Sequence, residues 1–180
     1  LKLLVSERKK FGFEVVLLGC ESGALFEEIF THRGRGTLFS DRYPNLIRRA
    51  IPADAKEIAL LIKAHVAEEV ILPISEEEIY SQIEDFYLYT VNGAIVACAK
   101  LSDYGDWAEV AKFCTLPRYQ RRGRAHELAK AMIEVARNQN KKGVFALSVV
   151  PKMWEFFKHL GFKETDRANL PAPWVAGYDF

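Results

Sequence analysis

KFCTLPRYQRRGRAHELAKAMIE, Lys112–Glu134, is the stretch from which the rest of the chain is read. An apolar run ends at Pro117, and a basic turn follows in which Arg121, Arg122 and Arg124 surround Gly123. Beyond the turn, Ala125, Leu128, Ala129, Met132, Ile133 and Ala136 recur at helical spacing and predict a helix reaching about Asn140. A helix start carries unsatisfied N–H donors and a partial positive charge, so it is a prepared anion site wherever the preceding loop lets its backbone come close. Gly123 permits that approach, Ala125 keeps the first turn open, and the arginines can screen a second negative charge. A pyrophosphate suits this layout; a solvated basic surface loop is the competing reading of the turn taken alone.

Outward from this stretch the hydrophobic period alternates between the two regular types. FYLYTV (86–91), Asn92-Gly93 and AIVACAKL (94–101) form a hairpin signal, because a type I′ turn needs positive φ at both central positions. AEVAKFCTL (108–116) is a third strand. Upstream, LIRRA from Leu46 reads as a strand, followed by a helix over 55–68 with Asp54 as N-cap. Ser75 with Glu78 forms a capping box that opens a short helix through about Asp85. Downstream, GVFALSV (143–149) reads as a buried strand, 154–160 as a short helix stopped by Gly161, and Phe162 as the start of a last extended segment. Before Leu46, FEVVLL (13–18), 24–30 and 36–39 suggest strand, helix and strand. The order from Leu46, β-α-α-β-β-β-α-β-α-β, predicts a mixed sheet with helices on both faces.

Composition narrows the function classes. Lys and Arg number 25 against 24 Asp and Glu, a formal charge of +1, and 49% of residues are apolar, as in a soluble globular protein. A bulk basic face for nucleic acid is not expected, since Glu76, Glu77, Glu78, Glu84 and Asp85 offset the arginines and only Tyr119 offers a stacking ring beside the turn. Cys20, Cys98 and Cys114 suggest neither a disulfide framework nor a zinc knuckle, and fit a reducing, cytoplasmic setting. His32, His65, His126 and His159 lack ligand spacing, so no metal is expected. No apolar run approaches the roughly 20 residues of a membrane span, and no secretory signal layout opens the chain. The first residue, Leu1, suggests a fragment or a processed chain.

Strand, Pro117, an aromatic residue, then Gln120-x-x-Gly123-x-Ala125 and a helix resembles the acetyl-CoA site of the GNAT N-acetyltransferases, whose motif is Q/R-x-x-G-x-G/A. The resemblance covers residues 46–180 and implies the α/β (α+β) class: the GNAT acyl-CoA N-acyltransferase fold, a central mixed, mostly antiparallel sheet with helices on both faces. It implies acetyl-CoA as co-substrate and no metal. The pyrophosphate would be held by main-chain N–H groups of Arg121, Arg122, Gly123, Arg124, Ala125 and His126, with Gln120 opening the motif. The pantetheine arm would pair with the main chain of Phe113, Cys114 and Thr115. In that role Cys114 need not be a nucleophile and reads as a small core residue. Many members carry a tyrosine four residues before the glycine of the terminal Gly-Phe, as a proton donor to the leaving thiolate; WEFFKHLGF puts Phe157 there.

The segment GCESGALFEEIFTHRGRGTLFSDRYPNLIRRAIPAD is in addition similar to the junction between an amino-acid-kinase domain and the GNAT domain in N-acetylglutamate synthases. Residues 1–45 would then be the tail of a kinase-like domain, or else an N-terminal extension. That similarity implies transfer of the acetyl group to the α-amino group of L-glutamate, the first step of arginine biosynthesis, by direct attack in a ternary complex. Direct attack needs reactants in register, a route for the ammonium proton and a donor for the oxyanion. Glu109 is the candidate base, alternatively a solvent-facing carboxylate or an ion-pair partner, and a main-chain N–H near Cys114 is the candidate donor. Lys112 is the candidate ligand of a substrate carboxylate, facing away from Glu109 by strand alternation; its alternative is a lysine snorkelling to the sheet rim. His65 reads as a packing residue. Ser75 is also assigned to the substrate site, although relatives often have arginine just before it where this chain has Ile74. A GNAT enzyme for another amine, whether amino acid, small amine or protein N-terminus, and a non-catalytic acetyl-CoA-binding regulatory module are the other readings. Association into a homo-oligomer is left open.

Overall fold

The computed structural model describes Glu7 and residues 15–30, 35–39, 46–66, 71–148 and 150–177. They divide into two units, Leu1–Asn45 with the hairpin tip Val91–Ala94, and Leu46–Thr90 with Ile95–Phe180. In the first, β1 (Val15–Leu17) pairs antiparallel with β2 (Thr37–Phe39), and α1 (Ala24–Phe30) lies between them in sequence. The second holds β3 (Leu46–Arg49), α2 (Ala55–Val66), α3 (Glu76–Ser81), β4 (Phe86–Val91), β5 (Ala94–Tyr104), β6 (Trp107–Thr115), α4 (Arg124–Asn138), β7 (Gly143–Phe145), α5 (Pro151–His159) and α6 (Ala172–Gly177).

Strands β3 to β7 form one sheet in chain order, with β3–β4 and β5–β6 antiparallel and β6–β7 parallel. This is the mixed, mostly antiparallel α/β arrangement expected from the sequence. Asn92 at φ 51° and Gly93 at φ 83° make the turn that Asn-Gly signalled. Every residue of β4 is buried, as a central strand with apolar groups on both faces must be. The core against α2 and α3 is built from Ile58, Ile62, Ile79, Phe86, Leu88, Cys98 and Cys114. Burial of such side chains contributes on the order of 1.5–3 kcal/mol each.

Two local features shape the site. Gly143 begins β7 because a Cβ there would meet the Trp107 ring at 2.3 Å, so only glycine lets the two strand starts approach. Between β5 and β6 the register shifts between Cys98 and Lys100, and opposite this shift Lys112 takes φ 53°. This bulge interrupts the regular alternation of side chains.

Several sequence expectations are corrected. Asp54 does not cap α2; it ends a 3-10 turn, Pro52–Asp54, accepting from Ile51 N at 2.8 Å and, through both oxygens, from Arg48 at 2.7 and 2.8 Å. The Arg48 guanidinium holds the Asp54 carboxyl below its ordinary range, against the opposing effect of burial. The helix expected over 55–68 is seen as Ala55–Val66, its last residues falling outside those described. Of the strand expected over 143–149, Gly143–Phe145 form strand and 146–148 do not, residue 149 lying outside the described set. No strand follows Phe162 among the described residues; the segment instead makes a 3-10 turn, Arg167–Asn169, and α6. The strand expected over 13–18 is seen as Val15–Leu17, residues 13 and 14 lying outside the described set. No helix among the described residues is long and apolar enough to cross a membrane.

Candidate active site

The site lies where β6 outlasts β7. The two strands pair only at Trp107–Gly143, Ala108–Val144 and Glu109–Phe145. Residues 110–115 keep β5 on one side and, among the described residues, have no strand on the other. This open edge runs through Lys112 and then Phe113, Cys114 and Thr115, the three residues assigned to the pantetheine arm, and ends at the basic turn.

The turn is built locally. Pro117–Tyr119 make one 3-10 turn, with Tyr119 N donating to Leu116 O and Gln120 N to Pro117 O. The Gln120 side chain donates back to Thr115 O at 3.1 Å, so the first motif residue anchors the turn to the end of β6. Arg121 at φ 58° and Gly123 at φ 78° then reverse the chain into α4. Gly123 is the N-cap, and no side chain caps the helix. The N–H groups of Arg124, Ala125 and His126 belong to the first turn, where helices lack internal acceptors. Nε and Nη1 of Arg124 are shut off from solvent and have no hydrogen-bond partner among the described residues, while the guanidinium lies 4.9 Å from the centroid of Tyr119. A half-buried cation with unpartnered donors beside an uncapped helix start fits a phosphate ligand. Arg121 and Arg122 are exposed. Glu127, the acid of this turn, is engaged elsewhere: its Oε2 accepts from the Tyr89 hydroxyl at 2.8 Å. Burial first, then this bond, push the Tyr89 phenol up to about 12.

Phe113 lies beside Phe156 of α5, ring centroids 5.6 Å apart, and His126 meets the same ring edge-on at 6.5 Å. Phe157 is buried against Phe156 and Phe162, so the position that many relatives give to a tyrosine is apolar packing here. Cys114 and Thr115 are buried.

Glu109 is 6% exposed at the root of the fork. Burial raises the proton affinity of its carboxyl; the Trp174 indole, as a hydrogen-bond donor, and the ammonium groups of Lys100 and Lys112 oppose that rise. A carboxylate in this setting can accept a proton near neutral pH more readily than an exposed one. Lys112 is half-buried and donates through Nζ to Leu72 O at 2.6 Å. Desolvation lowers its proton affinity, as does Lys100, against Cys114, Glu109 and Glu78. Lys112 and Glu109 thus act on each other electrostatically, with Lys112 itself at the bulge. Ser75 lies at the start of α3, its Oγ accepting from Glu78 N at 3.1 Å and its N–H donating to Glu78 Oε2 at 2.8 Å. Ile74 is partly buried against the core.

Trp174, Gln120 as an anchor and the Leu72 carbonyl were not found from sequence. Trp174 reaches Glu109 only through the fold, and a carbonyl has no sequence signal. A cavity of about 920 Å³ is lined by Trp107, Gly143, Phe145, Phe157, Phe162 and Trp174 among others. None of the residues assigned to acetyl-CoA borders it.

Comparison with known proteins bears on this geometry. The model of the acetyltransferase (GNAT) family matches residues 59–162. Amino-acid acetyltransferases of Pseudomonas aeruginosa and Pseudomonas fluorescens are each 32% identical over 162 residues, 89% of this chain. The chain spans 37% of the length of these relatives. N-acetylglutamate synthase from Neisseria gonorrhoeae, solved with coenzyme A and N-acetyl-glutamate, superposes with a TM-score of 0.70 at 29% identity, over 86% of this chain and 36% of that one. The same enzyme with coenzyme A and L-arginine gives a TM-score of 0.73 at 28% identity, over 92% and 38%. With its mixed five-stranded sheet, its forked β6–β7 pair and the Gln120–Ala125 turn, the chain belongs to the acetyltransferase (GNAT) family.

Proposed function

We propose that the chain transfers the acetyl group of acetyl-CoA to the α-amino group of an amino acid, with L-glutamate as the acceptor. The observation that carries the reading is the open edge of β6 leading into an uncapped helix start at Gly123. Main-chain groups of Phe113, Cys114 and Thr115 would align the arm of the cofactor, and the N–H groups of Arg121 through His126, with the half-buried Arg124 guanidinium, would hold its phosphates. Acetyl-CoA would supply an activated thioester. Glu109 would take the ammonium proton of the acceptor, directly or through water, and Lys112 would hold an acceptor carboxylate. The coenzyme A and N-acetyl-glutamate bound by the gonococcal enzyme, together with the relatives named amino-acid acetyltransferases, support this reading. Reading residues 1–45 as the tail of an amino-acid-kinase-like domain belongs to the same proposal. Its support is that the gonococcal match covers more of this chain than residues 46–180 contain.

Ile74 favours a second reading, in which the acceptor is an amine less acidic than glutamate, because an apolar side chain occupies the place where relatives often have a cation. Thiol release from acetyl-CoA with glutamate, set against a panel of other amino acids and amines, decides between them. With glutamate the expected result is turnover that Glu109→Gln lowers by about 100-fold without weakening acetyl-CoA binding. Lys112→Met should raise KM for glutamate by about 10-fold or more and leave KM for acetyl-CoA alone. Equal loss toward both substrates in Lys112→Met would remove glutamate from the assignment.

A further inference from the structure

Cys98 and Cys114 are direct cross-strand partners in the antiparallel β5–β6 pair, and both are buried. Directly opposed residues of such a pair point to the same face with Cα atoms about 4.5–5.5 Å apart, inside the span of about 4.4–6.8 Å that a disulfide bridges. The two thiols act on each other, and the Cys98 Sγ donates weakly to Lys112 O at 4.0 Å.

The third member of the cluster is His65 of α2, also buried. Its Nδ1 lies 3.1 Å from Leu61 O, and since a carbonyl only accepts, Nδ1 carries the proton and Nε2 is left as an acceptor. The imidazole acts on Cys114, and by taking up the thiol proton at Nε2 it becomes the cation that steadies a thiolate. The groups acting on Cys114 are thus Cys98, His65 and Lys112. They make the pair unequal. Cys98 first, then His65 and Lys112, favour the Cys114 thiolate against the opposing effect of burial, whereas the neighbouring Cys114 and burial keep the Cys98 thiol protonated. A thiol poised as thiolate beside a protonated partner is the arrangement of an attacking and a resolving sulfur. The proposed acetyl transfer makes no use of it. Among the described residues no three His, Cys, Asp or Glu side chains are grouped to hold a metal ion, so this cluster is not a metal site in waiting.

We propose that Cys98 and Cys114 are a redox pair, which a hydroperoxide converts into an intrachain disulfide clamping β5 to β6 beside the bulge. The Cys114 sulfur attacks one peroxide oxygen, the O–O bond breaks, and hydroxide leaves to take up a proton as water. Cys114 is thereby oxidised to the sulfenic acid. The Cys98 sulfur then attacks the Cys114 sulfur, the S–O bond breaks, the Cys98 proton leaves with the hydroxyl as a second water, and the S–S bond forms. One hydrogen peroxide and two thiols give one disulfide and two waters. A peroxide is little larger than water, and the irregular backbone at Lys112, two residues away, is where local opening would admit it.

The test uses the full chain carrying Cys20→Ser, because Cys20 is an exposed thiol that would react by itself. After treatment with hydrogen peroxide, the protein is unfolded, alkylated and weighed. The expected result is a mass lower by two hydrogens, a linked Cys98–Cys114 peptide, and no alkylation of either residue until a reductant is added. Cys98→Ser and Cys114→Ser should each abolish the linked peptide, and His65→Asn should slow its formation by about 10-fold through loss of thiolate. Full alkylation after peroxide, or oxygen added to one sulfur without linkage, overturns the proposal. The disulfide does not depend on the acetyltransferase reading. Its effect on acetyl-CoA binding does, and calorimetry before and after reduction reports that separately.

Discussion

Two helices of the same unit begin in opposite ways. At α3, Ser75 and Glu78 satisfy each other's backbone N–H groups, and Glu76, Glu77 and Glu78 place negative charge against the positive end of the helix. At α4, the cap residue is Gly123, no side chain bonds the first turn, three arginines crowd the entrance, and the acid Glu127 is held by the hydroxyl of Tyr89. A helix start of the first kind is complete in itself. One of the second kind leaves its donors and its charge for something that is not part of the chain.

The difference can be broken most directly at Gly123. A Cβ there would meet only Glu127 Oε1, at 4.0 Å, so the protein leaves room; what valine cannot easily adopt is φ 78°, and what it would occupy is ligand space. Gly123→Val should weaken acetyl-CoA binding by about 100-fold or more, ~2.7 kcal/mol. Unchanged affinity in a folded variant, measured by calorimetry, would mean that the α4 entrance is an ordinary surface turn. A smaller and opposite effect is expected at the other entrance. Ser75→Ala should lower the unfolding free energy by about 1 kcal/mol in denaturant titration and leave acetyl-CoA affinity as it is. Loss of affinity in step with stability would show that the two entrances are not independent. The smallest effect belongs to Glu78, whose carboxyl is held below its ordinary 4.5 chiefly by the Ser75 backbone N–H. Its stabilisation is therefore present above that value and disappears as pH falls through the depressed one. Melting curves of wild type and Glu78→Gln should differ at neutral pH and merge in acid; a constant gap at all pH values would assign the effect to something other than the carboxylate.

Both entrances were legible in the sequence because each is a local code: Ser75 three residues before Glu78, and glycine among arginines before an apolar stripe. The Asn92-Gly93 hairpin was legible for the same reason. Asp54 misled because its cap signal is also local, while its strongest partner, Arg48, lies on the preceding strand. The run 143–149 is apolar enough for a full strand, yet β7 stops at Phe145, where its pairing with β6 ends. Lys112 is the sharpest case. Alternation describes only a regular strand, and the bulge with its left-handed φ sits on the lysine itself. Its hydrogen-bond partner, a carbonyl forty residues earlier, has no side chain to announce it.

The fork of β6 and β7 also bears on how the unit assembles. Trp107 meets Gly143 only across the whole of α4, and parallel pairing of this kind must close its loop before it gains any contact. Helix α4 can form early from its own residues, whereas the strand edge that gives its entrance a purpose exists only once the crossover is closed. A ligand bridging the edge and the helix start would then recognise the assembled state alone. By mass action it would raise resistance to unfolding in proportion to the logarithm of its concentration, about 2.7 kcal/mol at one hundred times its dissociation constant. The supply of cofactor would in this way set the lifetime of the folded chain as well as its rate of work.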